Sequence, residues 1–280
     1  MGMGLRNPRD LRVVGFTALH LALWSALLAS RPTFWSGLAW VAIYSLVAFH
    51  SQVLNHAHMH YRLFRRRAGN AALDLAFGVI RGVPSHQNLY VHSHNHHRHH
   101  NSTADWTTSA FGGEGPNGLR IARYFVRMSA HVAREKAKAR DCAILRRIER
   151  VRRREWIWQA VVFVGMGSWN PVALGLYLLG ATLGIFWLVG LNFVLHDGCP
   201  AEATERGSRN FTGRALNYWL VNAGYHSIHH LAPSLHWSEI DRLVNERDPR
   251  VSELTYAHPS LLAFLKDYLI RSSPRKLAFR

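Results

Sequence analysis

The stretch Phe34–Leu54, FWSGLAWVAIYSLVAFHSQVL, runs without a break into Asn55–His60, NHAHMH. It holds no Asp, Glu, Lys or Arg. A helix needs ~20 mostly apolar residues to cross a bilayer, so this one is long enough. The histidines at its end therefore stand at a membrane face. If the helix continues, His56 and His60 are i and i+4 and share one side, while His58 points away.

Outward from this span the pattern repeats. Val13–Ala29, Trp156–Trp169 and Pro171–Leu195 are also apolar runs, although 156–169 is short enough to be a tilted span or a buried helix. Basic residues are unevenly placed around them. Arg6, Arg9 and Arg12 precede the first run, Arg31 alone separates the first two, and no Lys or Arg separates the last two. The positive-inside bias then puts both termini and the middle segment in the cytoplasm. Trp35, Trp40, Trp156, Trp158 and Trp169 lie near span ends, as an aromatic belt would. Ala29-Ser30-Arg31-Pro32 is a poor cleavage site, so the first run reads as a span rather than a signal. The expected fold is an all-α integral membrane protein of one domain, 1–280. Four transmembrane helices (13–29, 34–54, 156–169 and 171–195) form two hairpins with short outer turns, SRPT and SWNP. Cytoplasmic segments 55–155 and 196–280 form a helical cap. The run NAALDLAFGVIRGV is too short and broken to span, and reads as a re-entrant or interfacial helix.

The chain has 280 residues, 19 of them histidine, and a net charge of +17. Most of these histidines cluster where the topology predicts cytoplasm. His92–His100 reads HSHNHHRHH, and groups either as His92, His96 and His97 or as His96, His99 and His100. Asn192 and His196 are i and i+4 at the end of the last span. His226, His229 and His230 follow in YHSIHH. Charge and hydropathy alone thus bring the rings to one membrane face. Imidazole suits iron, zinc, copper and nickel. Nine rings exceed what one ion takes, so two ions are the economical reading. Carboxylates are nearly absent from the clusters, which excludes the Glu/His bundle type of di-iron site. Asp105 and Asp197 stand close enough in sequence to orient a ring. The two cysteines, Cys142 and Cys199, are far apart and form no CxxC pair, so an iron–sulfur or cysteine-zinc site is not expected.

HAHMH, HSHNHHRHHN and YHSIHH resemble the three histidine boxes of the membrane fatty acid desaturase and hydroxylase superfamily. NFVLH is similar to the extra histidine element before the third box, and GYHSIHHLAPSLHW to that box's surroundings. The resemblance runs from about the second apolar stretch to Trp237. It implies a non-haem di-iron centre at the cytoplasmic face, using dioxygen to attack an unactivated C–H bond. It carries over to His56, His60, His92, His96, His97, His196, His226, His229 and His230 as iron ligands, with Asn192 holding a metal-bound water. Arg98 after the His-His pair favours the His92, His96, His97 register. His94, His99 and His100 are then spare, supporting or surface rings. His20 and His50 read as packed, hydrogen-bonded rings within spans, and His86, His131, His236 and His258 as structural or surface residues.

Residues 120–154 carry a long basic run. It reads as an amphipathic helix on anionic headgroups, or as a dock for an acidic partner such as ferredoxin or acyl carrier protein. No recognition motif supports nucleic-acid binding. Arg271–Arg280 reads as a frayed basic tail. No rubredoxin cysteine set, HPGG stretch or GxGxxG occurs, so electrons must come from an external donor, ferredoxin or cytochrome b5 with its reductase. The leading reading is an oxygen-dependent fatty acyl desaturase acting on a membrane lipid or acyl thioester. The alternative is an acyl or alkyl chain hydroxylase or monooxygenase. A more distant alternative is a histidine-rich membrane metal-binding protein or transporter, which would place its ligands at mid-membrane depth.

Overall fold

The computed structural model describes residues 4–201, 207–246 and 256–270. The basic tail Arg271–Arg280 lies outside the described residues. In chain order the α-helices are α1 (Leu11–Ala29), α2 (Phe34–His60), α3 (Arg67–Arg81), α4 (His97–His99), α5 (Asn117–Lys138) and α6 (Ala143–Trp169). They continue as α7 (Pro171–His196), α8 (Arg214–Trp219), α9 (His226–Leu231), α10 (Trp237–Asn245) and α11 (Leu261–Ile270). A π-helix, Tyr90–His96, precedes α4. Two two-residue strands, β1 (Asn210–Phe211) and β2 (Ala257–His258), pair in parallel, and with an isolated antiparallel bridge between Leu5 and Phe64 they depart from the all-α expectation.

Three helical segments are long and apolar enough to cross a membrane: Pro8–Ala29, Phe34–His60 and Pro171–His196. The expected span 156–169 is not a separate element. It is the second half of α6, a 27-residue helix whose first half carries the basic RRIERVRRRE. Fourteen helical residues rise ~21 Å, short of the ~30 Å hydrocarbon core.

The residues fall into two compact units. The first comprises Met1–Asn88 with Ala143–Leu188. Its helices begin and end where the local chemistry dictates. Pro32 follows the end of α1, and Thr33 and Ser36 form a reciprocal capping box that starts α2. Pro171 opens α7, where a missing N–H costs nothing. Asn170 joins the two expected outer turns. Its amide donates to the carbonyls of Leu28 (3.1 Å) and Ser30 (2.9 Å), while its oxygen accepts from Ala173 N. Gly82, in the left-handed region at φ 72°, ends α3. The core between these helices contains Leu27, Tyr44, Ala48, Ile80, Met166 and Tyr177. Tyr44 and Tyr177 donate their hydroxyls to the carbonyls of Ile80 (2.9 Å) and Val79 (2.8 Å), pinning α3 against α2 and α7. His20 and His50, on α1 and α2, share a hydrogen bond of 3.1 Å.

Among the last span's glycines, Gly180 and Gly184 let α7 approach α2 closely. A Cβ on Gly184 would meet Ala48 Cβ at 2.6 Å and Phe49 N at 2.8 Å, whereas one on Gly175 would meet nothing within 4 Å. Gly184→Ala should therefore destabilise the chain by about 1–3 kcal/mol, as overpacking does. Thermal unfolding in detergent reads this, with Gly175→Ala as the near-neutral control.

The second unit comprises Leu89–Cys142 and the described residues from Val189 onward. Its core is built on Tyr124, Phe193, Val194, Leu195, Phe211 and Tyr268. Arg120 of α5 pairs with Asp197 at 2.5 Å, and the Tyr268 hydroxyl donates to the same carboxylate at 2.5 Å. Asn117 donates to the Tyr268 carbonyl at 2.7 Å. These bonds fasten α5, the end of α7 and α11 to one another, and leave His196 at a fixed helix end.

Candidate metal centre

Six of the nine positions of His92–His100 are histidine, so the backbone, not the sequence pattern, decides which rings meet. The segment Tyr90–His96 is a π-helix rather than an α-helix. Residues i and i+5 stand about 140° apart on an α-helix of 3.6 residues per turn. The wider π turn brings them onto one side. His92 Nε2 and His97 Nε2 accordingly lie 3.0 Å apart. The His229 ring stacks parallel to that of His92, centroids 5.7 Å apart, and meets His97 edge-on at 4.7 Å. Single π turns inside helices often mark functional sites.

Four further rings of the second unit form a buried group. His96, His196, His226 and His230 each bring a ring nitrogen within 4.8 Å of the others. His230 Nε2 lies 3.1 Å from His226 Nε2 and 3.3 Å from His196 Nε2. Nitrogens bound ~2.1 Å from one ion stand about 3.0 Å apart at a right angle and about 3.4 Å apart at the tetrahedral angle. The spacing is thus that of ligands around a common cation. His96 Nε2 is buried with no hydrogen-bond partner among the described residues. An orphaned buried nitrogen is costly unless something fills the gap. Burial, then the neighbouring rings of His226, His96, His196 and His229, push the pKa of His230 well below its ordinary value. The ring is kept neutral, the form that binds metal. The donor set and its geometry fit a borderline transition metal.

Two neighbours set which nitrogen faces the group. His96 donates from Nδ1 to Asp105 Oδ2 at 2.7 Å, and His196 donates from Nδ1 to the Asn192 carbonyl at 2.8 Å. In both rings the unprotonated nitrogen is then Nε2. Asp105 is fully buried and is held by Asn101 N (2.7 Å), Thr107 N (2.7 Å) and the Thr107 hydroxyl (2.8 Å). Burial raises its pKa, but His96 and then Thr107 outweigh that and hold it far below the carboxylate range. Asp197 behaves differently from the ring-orienting role expected of it. Its carboxylate is taken by Arg120 and Tyr268, and no histidine is among its described hydrogen-bond partners. Asn192 donates its side-chain amide to Tyr124 Oη at 2.9 Å.

The remaining rings sort by burial. His94 is exposed, and with His99 and His131 it lines a surface groove. His100 is buried instead, its ring 4.2 Å from that of His230. Its place at the end of a histidine-rich run hid this packing role in the sequence. His99→Ala should therefore leave metal content and activity near the parent level, whereas His96→Ala should lose both. Metal analysis of the two purified variants checks the contrast.

In the first unit, His56 and His60 lie side by side at the end of α2, ring centroids 4.8 Å apart. His58, on the other side as expected, belongs to a separate network. A third cluster of ligand-type side chains, Asp74, His86 and Glu155, is buried there. The Arg62 guanidinium already fills it. It donates to Asp74 (2.8 Å to each oxygen), to His86 Nε2 (2.8 Å) and to His58 Nε2 (2.8 Å). His86 Nδ1 donates to Glu155 at 2.7 Å. With the buried Arg81, which interacts electrostatically with Glu155 and Asp74, the two carboxylates are balanced without a metal. Burial raises the Asp74 pKa, but His58 and then Arg62 and His86 bring it down to about 2. A carboxylate with a depressed folded pKa stabilises above its unfolded value and loses that contribution as pH falls through the folded one. Asp74 should thus contribute roughly 2 kcal/mol at neutral pH, lost between about pH 4 and pH 2. Asp74→Asn should flatten that acid limb in pH-dependent unfolding. The partners of Asp74 and His86 lie 11 to 69 residues away, and no sequence spacing announces them.

A sequence family model described as Fatty acid desaturase matches residues 11–260. No curated protein matches the chain.

Proposed function

The chain belongs to the fatty acid desaturase family, and from that premise we propose that this membrane oxidoreductase is an oxygen-dependent fatty acyl desaturase with a histidine-ligated di-iron centre. The observation that carries the reading is the buried convergence of His96, His196, His226 and His230 on one point. The ligands we assign are His56, His60, His92, His96, His97, His196, His226, His229 and His230. Bound there, two iron ions would supply the reduction of dioxygen and the removal of hydrogen from an unactivated C–H bond.

The chain's own residues set the conditions for that chemistry. Asp105 and the Asn192 carbonyl hold protons on His96 Nδ1 and His196 Nδ1, so the Nε2 lone pairs stay available. Burial keeps His230 neutral. Asn192, its amide committed to Tyr124, is assigned to hold a water beside the centre through its oxygen. The substrate is an acyl chain, carried by a membrane lipid or as a thioester, entering between the spans. We further assign the apolar half of α6 as a short fourth span. The histidine segments and both termini then face the cytoplasm, a reading that the positive-inside bias of Arg and Lys supports.

Desaturation removes two hydrogens from adjacent carbons. With one dioxygen, two electrons and two protons it yields the alkene and two waters. Hydroxylation uses the same inputs and returns an alcohol and one water. Mass analysis of fatty acids from cells expressing the chain separates them. Chains two mass units lighter, absent with His230→Ala, are the expected result. Chains sixteen units heavier would establish the hydroxylase instead, and unchanged lipids would contradict both.

A further inference from the structure

The stoichiometry above needs two electrons that neither the substrate nor this chain supplies. A donor must therefore meet the protein close to the histidines. A groove of about 470 Å³ opens on the second unit, lined by Tyr90, His94, Arg98, His99, Trp106 and His131. Its surroundings are basic. Arg98 is exposed in its wall, and along α5 exposed Arg127, Arg134 and Lys138 recur with His131 at helical spacing. The groove's one acid, Glu135, is paired with Lys138 at 2.7 Å. The net field therefore favours an anionic partner.

The groove is also one layer from the buried histidines. Trp106 N donates to the oxygen of Asn95 at 2.7 Å, so these two residues close the groove's inner wall together. Their immediate neighbours in the chain are Asp105 and His96, which share the 2.7 Å hydrogen bond described above. A covalent step from Trp106 to Asp105, then one hydrogen bond, reaches a ring of the four-histidine group. The Tyr90 and Trp106 rings, with centroids 5.5 Å apart, give the groove an aromatic face.

We propose that this groove is the docking site of the electron donor, a one-electron carrier protein with an acidic surface, and that electrons enter through Trp106, Asp105 and His96. The donor is oxidised twice per turnover, and the two electrons join the two protons and dioxygen of the balanced reaction. A flat basic face would serve anionic lipid headgroups equally well. A concave site walled by aromatic rings and joined to a ligand by one hydrogen bond favours the carrier protein. The inference rests on the desaturase reading above.

The test uses the full chain, iron-loaded, in nanodiscs. Stopped-flow follows reduction of its metal centre by dithionite, by a plant-type ferredoxin and by cytochrome b5. Arg98→Glu combined with Arg134→Glu should lower the second-order rate with at least one protein donor by about tenfold or more at low salt, with the difference shrinking as salt rises. Metal content and the dithionite rate should stay at the parent level. Arg147→Glu, an exposed charge on α6, is the control and should change the protein-donor rate less than twofold. Unchanged protein-donor rates in the double variant overturn the proposal, as does reduction by dithionite but by neither protein. An effect of the double variant that vanishes when anionic lipid is left out of the nanodiscs assigns the groove to lipid and also overturns it. A centre that dithionite itself cannot reduce contradicts the di-iron reading, and the groove's role falls with it.

Discussion

His230→Ala should yield a folded, membrane-inserted chain that retains little iron and oxidises no lipid. The His230 ring is where the buried group closes. Its Nε2 is 3.1 Å from that of His226 and 3.3 Å from that of His196, and its ring also packs on His97 at 4.8 Å. Its removal takes one ligand from the buried set and opens a cavity between the remaining rings. The fold should survive, because the cores of the two units are built from other side chains. His229→Ala should have a comparable effect on metal and activity through its partners His92 and His97. Iron content and lipid products, measured on variants with parent-like helical circular dichroism, check both. Full activity in either variant would refute the ligand assignment.

Asp105→Asn should lower metal affinity or activity by about 10–100-fold, the usual cost of losing the partner of a ligating histidine. The carboxylate accepts from His96 Nδ1 and also from Asn101 N, Thr107 N and the Thr107 hydroxyl. An amide has one acceptor oxygen and presents an NH2 where a second acceptor is needed, so at least one buried donor loses its partner. The His96 ring would then be free to turn its proton toward the group. Titrating ferrous iron into parent and variant measures the difference. Asp197→Asn should act differently. It weakens the Arg120 and Tyr268 bonds and so lowers stability, with a smaller effect on metal affinity in the folded fraction.

The long apolar helices were legible because hydropathy is a local property. Phe34–His60 and Pro171–His196 appear in the structure nearly as the sequence delimits them. The extent of α6 was not. Arg and Glu are good helix formers, so the helix runs through the boundary at Trp156 where the hydropathy changes. The ring groups were legible as clusters but not in their internal register. In a stretch where six of nine residues are His, several registers fit equally well, and the π turn at Tyr90–His96 decides which rings converge. Asp105 could be read as a ring partner because it lies 9 residues from His96. Asp197 was misplaced by the same proximity argument. Adjacent residues on a helix point about 100° apart, and its true partner, Arg120, is 77 residues distant. The Arg62 network was invisible for a similar reason, since His86 and Glu155 meet only through the packing of α6.

The most direct test of the central claim is the metal content per chain of detergent-purified protein from iron-replete cells, measured by mass spectrometry before and after anaerobic reconstitution with ferrous iron. The di-iron reading predicts about two irons per chain in the parent protein and fewer in His230→Ala. A reconstituted parent protein that binds no stoichiometric metal would contradict it.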